Sequence, residues 1–160
     1  MRLRADVTAI ALVLVVAVAV PVALRGPWAG ECVGVGDGDT ITVVHYGRSE
    51  VIRLYGVDCP ENGQTFGSQA KAYTTSLCLG KVVRVYPRER DQYGRTVATV
   101  LLPDGSSLGA VLVRDGCAWW YRHYAPDDEQ LRDLEAGARA RRAGLWAGAN
   151  PIPPWDFRRR

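Results

Sequence analysis

Polar and apolar positions change rhythm several times along the chain. Glu31–Val35 and Thr40–Tyr46 read as strands joined at Gly36-Asp-Gly-Asp39, and Gly47-Arg48 reads as the next hairpin turn. Glu50–Val57, rich in β-branched and aromatic residues, predicts a third strand. The spacing then becomes helical from Ser68 to Leu79, with Ala70, Tyr73 and Leu77 on one face and Gly80 as the stop. Lys81–Tyr86 and Thr96–Leu102 predict two more strands, the second ending at the turn signal Pro103-Asp-Gly105. Leu108, Val111 and Leu112, followed by Gly116, describe a short second helix. A third starts at Asp127, with Gln130 three residues on as a capping-box-like partner and Leu131, Leu134 and Ala138 continuing its face. The stretch Asn150-Pro-Ile-Pro-Pro-Trp155 is expected to be non-helical because of its prolines.

The order β-β-β-α-β-β-α-α predicts a mainly β domain: a five-stranded Greek-key barrel of the OB-fold class with three α-helices. Fold class alone names no activity.

The N-terminal region follows a different rule. Val7 to Leu24 carries no charge and is aliphatic or Ala except for Thr8 and Pro21, behind the basic start Met1-Arg-Leu-Arg4. Residues 1–25 are therefore expected to be a signal peptide or N-terminal membrane anchor, directing the domain out of the cytoplasm. Ala17-Val18-Ala19 offers a cleavage site, whereas a helix running on to Leu24 is long enough to hold residues 7–24 in a membrane. Residues 26–148 form the expected domain, and 149–160 a Pro-rich tail ending in three arginines. An exported domain permits disulfides, but Cys32, Cys59, Cys78 and Cys117 allow three full pairings and the sequence selects none. No CxxC pair exists, and His45 and His123 are far apart, which gives zinc little support.

Charge narrows the function. The whole chain carries +3, of which the leader supplies +2, so residues 26–160 have no bulk field for coating a polyanion. Any such contact must come from placed charges. Three short stretches hold them. Asp37-Gly-Asp39-Thr40 sets two carboxylates about a glycine, a hard-oxygen arrangement able to hold a cation or simply a hairpin turn. In Arg53-Leu-Tyr-Gly-Val-Asp58-Cys-Pro-Glu61 an arginine interrupts an apolar strand, facing solvent, pairing with Glu50, or serving chemistry. Pro60 pins the backbone between Asp58 and Glu61. Asp91-Gln-Tyr-Gly-Arg95 is a turn from which Arg95 can present a two-donor fork suited to phosphate. Trp119, Trp120, Tyr121 and Tyr124 suit either base stacking or packing; Trp146 and Trp155 read as packing and tail anchors. Arg139, Arg141 and Arg142 read as a solvated helix face.

In this order and spacing, together with Val113-Arg-x-Gly116, Tyr124-x-Pro126 and Gly144-Leu-Trp146, the stretches resemble the staphylococcal nuclease family over about residues 31–147. The resemblance implies an OB-fold nuclease that hydrolyses DNA and RNA, preferring single strands, with calcium as cofactor, leaving 3′-phosphate ends and acting as a monomer. It implies Asp39, Asp58 and the backbone carbonyl of Cys59 as calcium ligands. Arg53 and Arg95 become phosphate clamps, Glu61 the carboxylate that positions or deprotonates the attacking water, and Tyr93 and Tyr124 nucleotide-pocket residues. Gln92 and Arg122 depart from the family pattern, standing where the best-known member has a lysine and a tyrosine. The alternative is a non-catalytic oligonucleotide- or protein-binding module on the same barrel, but such degenerate domains typically lose the carboxylates or arginines retained here.

Overall fold

A computed structural model describes residues 26–160, so the expected leader lies outside the described residues. The chain enters as strand β1 (Trp28–Val35), turns through Gly36–Asp39 into β2 (Thr40–His45), and folds back as β3 (Arg48–Leu54). Tyr46 and Gly47 make the second turn, both at positive φ (47° and 72°), as a two-residue hairpin with strand-matching twist requires. A two-residue strand β4 (Val57–Asp58) precedes helix α1 (Gly67–Cys78). Strands β5 (Val82–Arg90) and β6 (Thr96–Leu101), helix α2 (Leu108–Arg114) and strand β7 (Trp119–Trp120) follow. Helix α3 (Glu129–Ala140), a 3-10 turn (Gly144–Ala147) and the one-turn helix α4 (Pro154–Phe157) complete the chain.

Five strands close a barrel in the order β1-β2-β3-β6-β5. All neighbours are antiparallel except β3 and β6, which run parallel and bring Arg53 opposite Val97. The expected five-stranded barrel with helices is thus present. Alternation decides its inside: Ile41, Val43, Ile52, Leu54, Val83, Val85, Ala98 and Val100 are buried and fill the interior with Leu108 and Leu112 from α2. Each fully buried Ile, Leu or Val contributes ~1.5–3 kcal/mol, which makes this interior the main source of cohesion.

Four local expectations change. The strand expected over Glu50–Val57 stops at Leu54, because Gly56 (φ 73°) turns the chain off the barrel and Val57–Asp58 pairs with Trp119–Trp120 instead. The strand expected to end at Tyr86 runs on to Arg90, with an irregularity between Pro87 and Glu89 that absorbs the proline. Helix α3 is capped by Asp128, whose side chain accepts from the Leu131 N–H, one residue later than the capping-box reading. Part of the Pro-rich tail is helical after all: Pro154 occupies the first turn of α4, where its missing N–H costs nothing. Among the described residues no helix is long and apolar enough to cross a membrane.

Candidate active site

The β4–β7 pair lies beside the barrel mouth and carries Asp58. Asp39 comes from the end of the Gly36–Asp39 turn, where its N–H bonds the Asp37 carboxylate at 3.1 Å. Gly38 is needed at this turn, since a Cβ there would stand 2.5 Å from the Cys59 Cβ. The two segments are stitched together by the Cys59 N–H, which donates to Asp39 Oδ2 at 2.5 Å. Asp39 and Asp58 are only 4% and 1% exposed.

Arg53 reaches both carboxylates. Its Nη1 lies 3.2 Å from Asp39 Oδ1 and its Nη2 donates to Asp58 Oδ1 at 2.9 Å. Nη1 also donates to the carbonyls of Leu54 (3.0 Å) and Val57 (2.8 Å). The guanidinium that interrupts an apolar strand therefore faces the buried carboxylates; Glu50 bonds Arg90 and the Thr96 hydroxyl instead. Burial pushes the Asp39 carboxyl up to about 7, although Arg53 pulls the other way. Burial likewise raises Asp58 against the opposing pull of Arg158 and Arg53. For Arg53 burial acts to lower the pKa, but Asp39 and Asp58 together outweigh it and the pKa rises. Desolvation thus outweighs the pull of the guanidiniums at both carboxyls.

An open cavity of about 710 Å³ spreads from this cluster and is lined by Asp37, Asp39, Arg53, Asp58, Cys59, Glu61, Tyr93, Arg95, Tyr121, Tyr124 and Arg158. Asp39, Arg53, Asp58, Cys59, Glu61, Tyr93, Arg95 and Tyr124 therefore open onto one space, whereas Trp119 and Trp120 are buried and do not line it. Arg95 stands at the entry to β6, its Nε bonded to Asp91 Oδ2 at 2.7 Å; no bond from its two terminal nitrogens is made among the described residues. Asp91 also accepts from the N–H groups of Tyr93 and Arg95, which fixes the turn. Burial alone would raise the Asp91 pKa, but these bonds lower it. Glu61 sits on the loop before α1, its N–H held by Gln64 Oε1 at 3.0 Å. Tyr93 and Tyr124 are exposed at the rim, and Arg122 faces a second cleft beside Glu135.

Asp39 and Asp58, with the Cys59 backbone beside them in the site, fit a hard divalent cation: both are oxygen donors, both are buried, and both line the same cavity. The side-chain donors number two, and among the described residues no cluster of three His, Cys, Asp or Glu side chains forms a metal site.

Three features escaped the sequence. Arg158 bonds Asp58 and Glu61 from the chain end. Asp91 orients Arg95. Trp155 stacks on Tyr121 with ring centroids 5.2 Å apart, in addition to packing on Trp119. An arginine run at a terminus carries no spacing signal, so only the folded chain could show the first.

Residues 51–148 match the family described as Staphylococcal nuclease homologue. The chain is 38% identical over 167 residues to a micrococcal nuclease of Shigella flexneri, covering 97% of this chain and 93% of that protein. An uncharacterized endonuclease of Escherichia coli O157:H7 is 41% identical over 131 residues, 82% of this chain and 85% of its own. One of Haemophilus influenzae is 37% identical over 128 residues, 79% and 71% respectively. With the five-stranded barrel consistent with these matches, the chain belongs to the staphylococcal nuclease family and is a phosphodiester-hydrolysing nuclease.

Proposed function

We propose that the nuclease is calcium-dependent, accepts both DNA and RNA with a preference for single strands, and leaves 3′-phosphate ends. The observation that carries this reading is the meeting of two buried carboxylates, a buried arginine, a half-exposed arginine with unused donors and a loop carboxylate on one open cavity. Asp39, Asp58 and the Cys59 carbonyl would hold the ion. When bound, calcium supplies Lewis-acid charge to an anionic substrate.

The chain's own groups do the rest. Arg95 lines the cavity with its guanidinium 5.4 Å from the Tyr93 ring centroid, and its terminal nitrogens would stabilise charge that builds on phosphate oxygens as phosphorus becomes five-coordinate. Arg53, with its nitrogens held by Asp39, Asp58 and two carbonyls, mainly fixes the carboxylates and offers its charge to the phosphate from a set position. Glu61 Oε accepts the proton of the attacking water or aligns it, help worth ~10²–10⁴-fold. Tyr93 and Tyr124 are exposed at the rim, which suits contact with unpaired bases. The domain acts outside the cytoplasm as a monomer, released or tethered through residues 1–25.

The test is cleavage of denatured DNA, native DNA and RNA by the purified protein in calcium and in excess chelator, with end-group analysis of the products. Undiminished cleavage in chelator refutes the calcium reading. Tight single-strand binding without cleavage would favour a non-catalytic module.

A further inference from the structure

Arg158 lines the cavity, the proposed chemistry leaves it unused, and it sits between Asp58 and Glu61. Its Nη2 donates to Asp58 Oδ2 at 2.8 Å. Its Nη1 donates to Asp58 Oδ1 at 3.2 Å and to Glu61 Oε1 at 2.5 Å. One guanidinium thus bridges two carboxylates, one of them buried, from a hundred residues away in the chain. With Arg53 already on Asp58 Oδ1, both oxygens of Asp58 are engaged by guanidinium N–H groups.

The tail is fastened at three further points. Gln64 Nε2 donates to the Ile152 carbonyl at 2.6 Å, while Gln64 Oε1 accepts from the Glu61 N–H. The same amide therefore ties the tail to the loop bearing Glu61. Trp155 lies nearly parallel to Tyr121 (18°) and edge-on to Trp119, with centroids 5.6 Å apart. Pro154 is buried beneath the turn. Docking at four places by an amide, a ring stack, a proline and an ion pair defines a specific seat for the tail.

A divalent cation at Asp58 would meet this guanidinium within a few ångströms, a like-charge encounter in a partly dehydrated cleft, and would compete for the same lone pairs. We propose that the C-terminal tail, residues 152–158, is an internal cation plug: Arg158 occupies the Asp58–Glu61 pair, and a divalent ion binds by displacing it. This rests on the reading of Asp39 and Asp58 as the cation site. Displacement also frees the Tyr121 face covered by Trp155, next to Tyr124 at the cavity rim. Cation binding would then open the cleft for substrate and release Glu61 from its ion pair in one event. A tail seated ~90% of the time weakens apparent cation affinity by ~10-fold relative to a tail-free site.

The experiment uses the full chain in mild detergent, without nucleic acid, and calcium chloride alone as the probe. Calorimetric titration compares the unaltered protein with Arg158→Gln and Trp155→Ala, and hydrogen exchange follows residues 150–160. Both variants should bind calcium about tenfold more tightly, and saturating calcium should speed exchange over residues 152–158 of the unaltered protein. Equal calcium affinity in all three proteins, weaker binding by Arg158→Gln, or a tail equally protected at saturating calcium overturns the plug while leaving the cation site standing. No calcium binding by any of them, with cleavage persisting in chelator, overturns the calcium reading and the plug with it. Arg158→Gln removes the charge from an exposed chain end, so its result stands even where Trp155→Ala disturbs packing around Trp119.

Discussion

Arg53 and Arg95 look alike in the sequence, yet their surroundings demand opposite outcomes when each is replaced by alanine. Arg53→Ala removes the cation shared by Asp39 and Asp58, buried to 4% and 1% exposure, and strips a donor from the Leu54 and Val57 carbonyls. Breaking a buried ion pair from one side costs about 3–5 kcal/mol, because an uncompensated charge remains. Against a total of about 5–15 kcal/mol for a domain, that is a large fraction of the stability. Arg158 still touches Asp58, so Asp39 bears most of the loss. Arg95→Ala removes only a half-exposed pair with Asp91, worth under about 1 kcal/mol, and Asp91 keeps its two backbone N–H donors. Its effect belongs in turnover, a fall of ~10²–10³-fold if its free donors meet transition-state charge. Urea unfolding in chelator measures the first effect, and single-turnover cleavage at saturating substrate the second. Adding Asp39→Asn to Arg53→Ala should recover part of the lost stability, since the stranded charge is gone. An Arg53→Ala protein that unfolds at the unaltered urea midpoint refutes the charge-balance argument. Near-normal turnover by Arg95→Ala, with only a higher substrate requirement, makes Arg95 a binding residue.

Other outcomes are equally open to measurement. Glu61→Gln should fold normally and bind single strands while cleavage drops by ~10²-fold or more; retained turnover removes Glu61 from the chemistry. Gly38→Ala forces a Cβ to 2.5 Å from the Cys59 Cβ and should destabilise by about 1–3 kcal/mol, read as a lower thermal midpoint. Cys59→Thr should keep measurable calcium-stimulated cleavage, because the proposed ligand there is a backbone carbonyl; complete loss in a folded variant assigns a role to the thiol. Cys32 and Cys78 hold their sulfurs 3.5 Å apart between β1 and α1. Oxidised glutathione should therefore link this pair selectively and add about 2–4 kcal/mol of stability, checked by peptide mapping and denaturation. A bridge involving Cys59 or Cys117 would contradict the geometry.

Much of this was readable before folding, for reasons that differ by residue. The strands holding Ile41, Val43, Ile52 and Leu54 were legible from their β-branched and aromatic content, and the period of two imposed by one buried face turns these four inward. Arg53 stood out because a guanidinium in an apolar strand is costly to bury unpaired; the nearby Glu50 offered a partner in sequence, whereas Asp39 and Asp58 reach Arg53 only through the fold. The pairing of Val57–Asp58 with Trp119–Trp120 was hidden, as two residues are too few to show a rhythm. Helix α4 was hidden by the prolines around it, because a breaker inside a helix is a welcome residue at its first turn. The seat of Arg158 depends on the ring stack of Trp155 with Tyr121 and the amide of Gln64, the latter joining segments 88 residues apart. No local pattern encodes such a meeting.

The parallel pairing of β3 with β6 has a consequence for the life of the chain before it is native. It joins Ile52–Leu54 to Thr96–Ala98, a connection that must close a long loop, after the hairpins of β1–β3 and β5–β6 have had every local advantage. The same closure sets Arg53 and the Arg95 turn at one mouth. Neither hairpin alone carries both Arg53 and Arg95, which line the cavity. The cavity they share is complete only once the β3–β6 seam has closed.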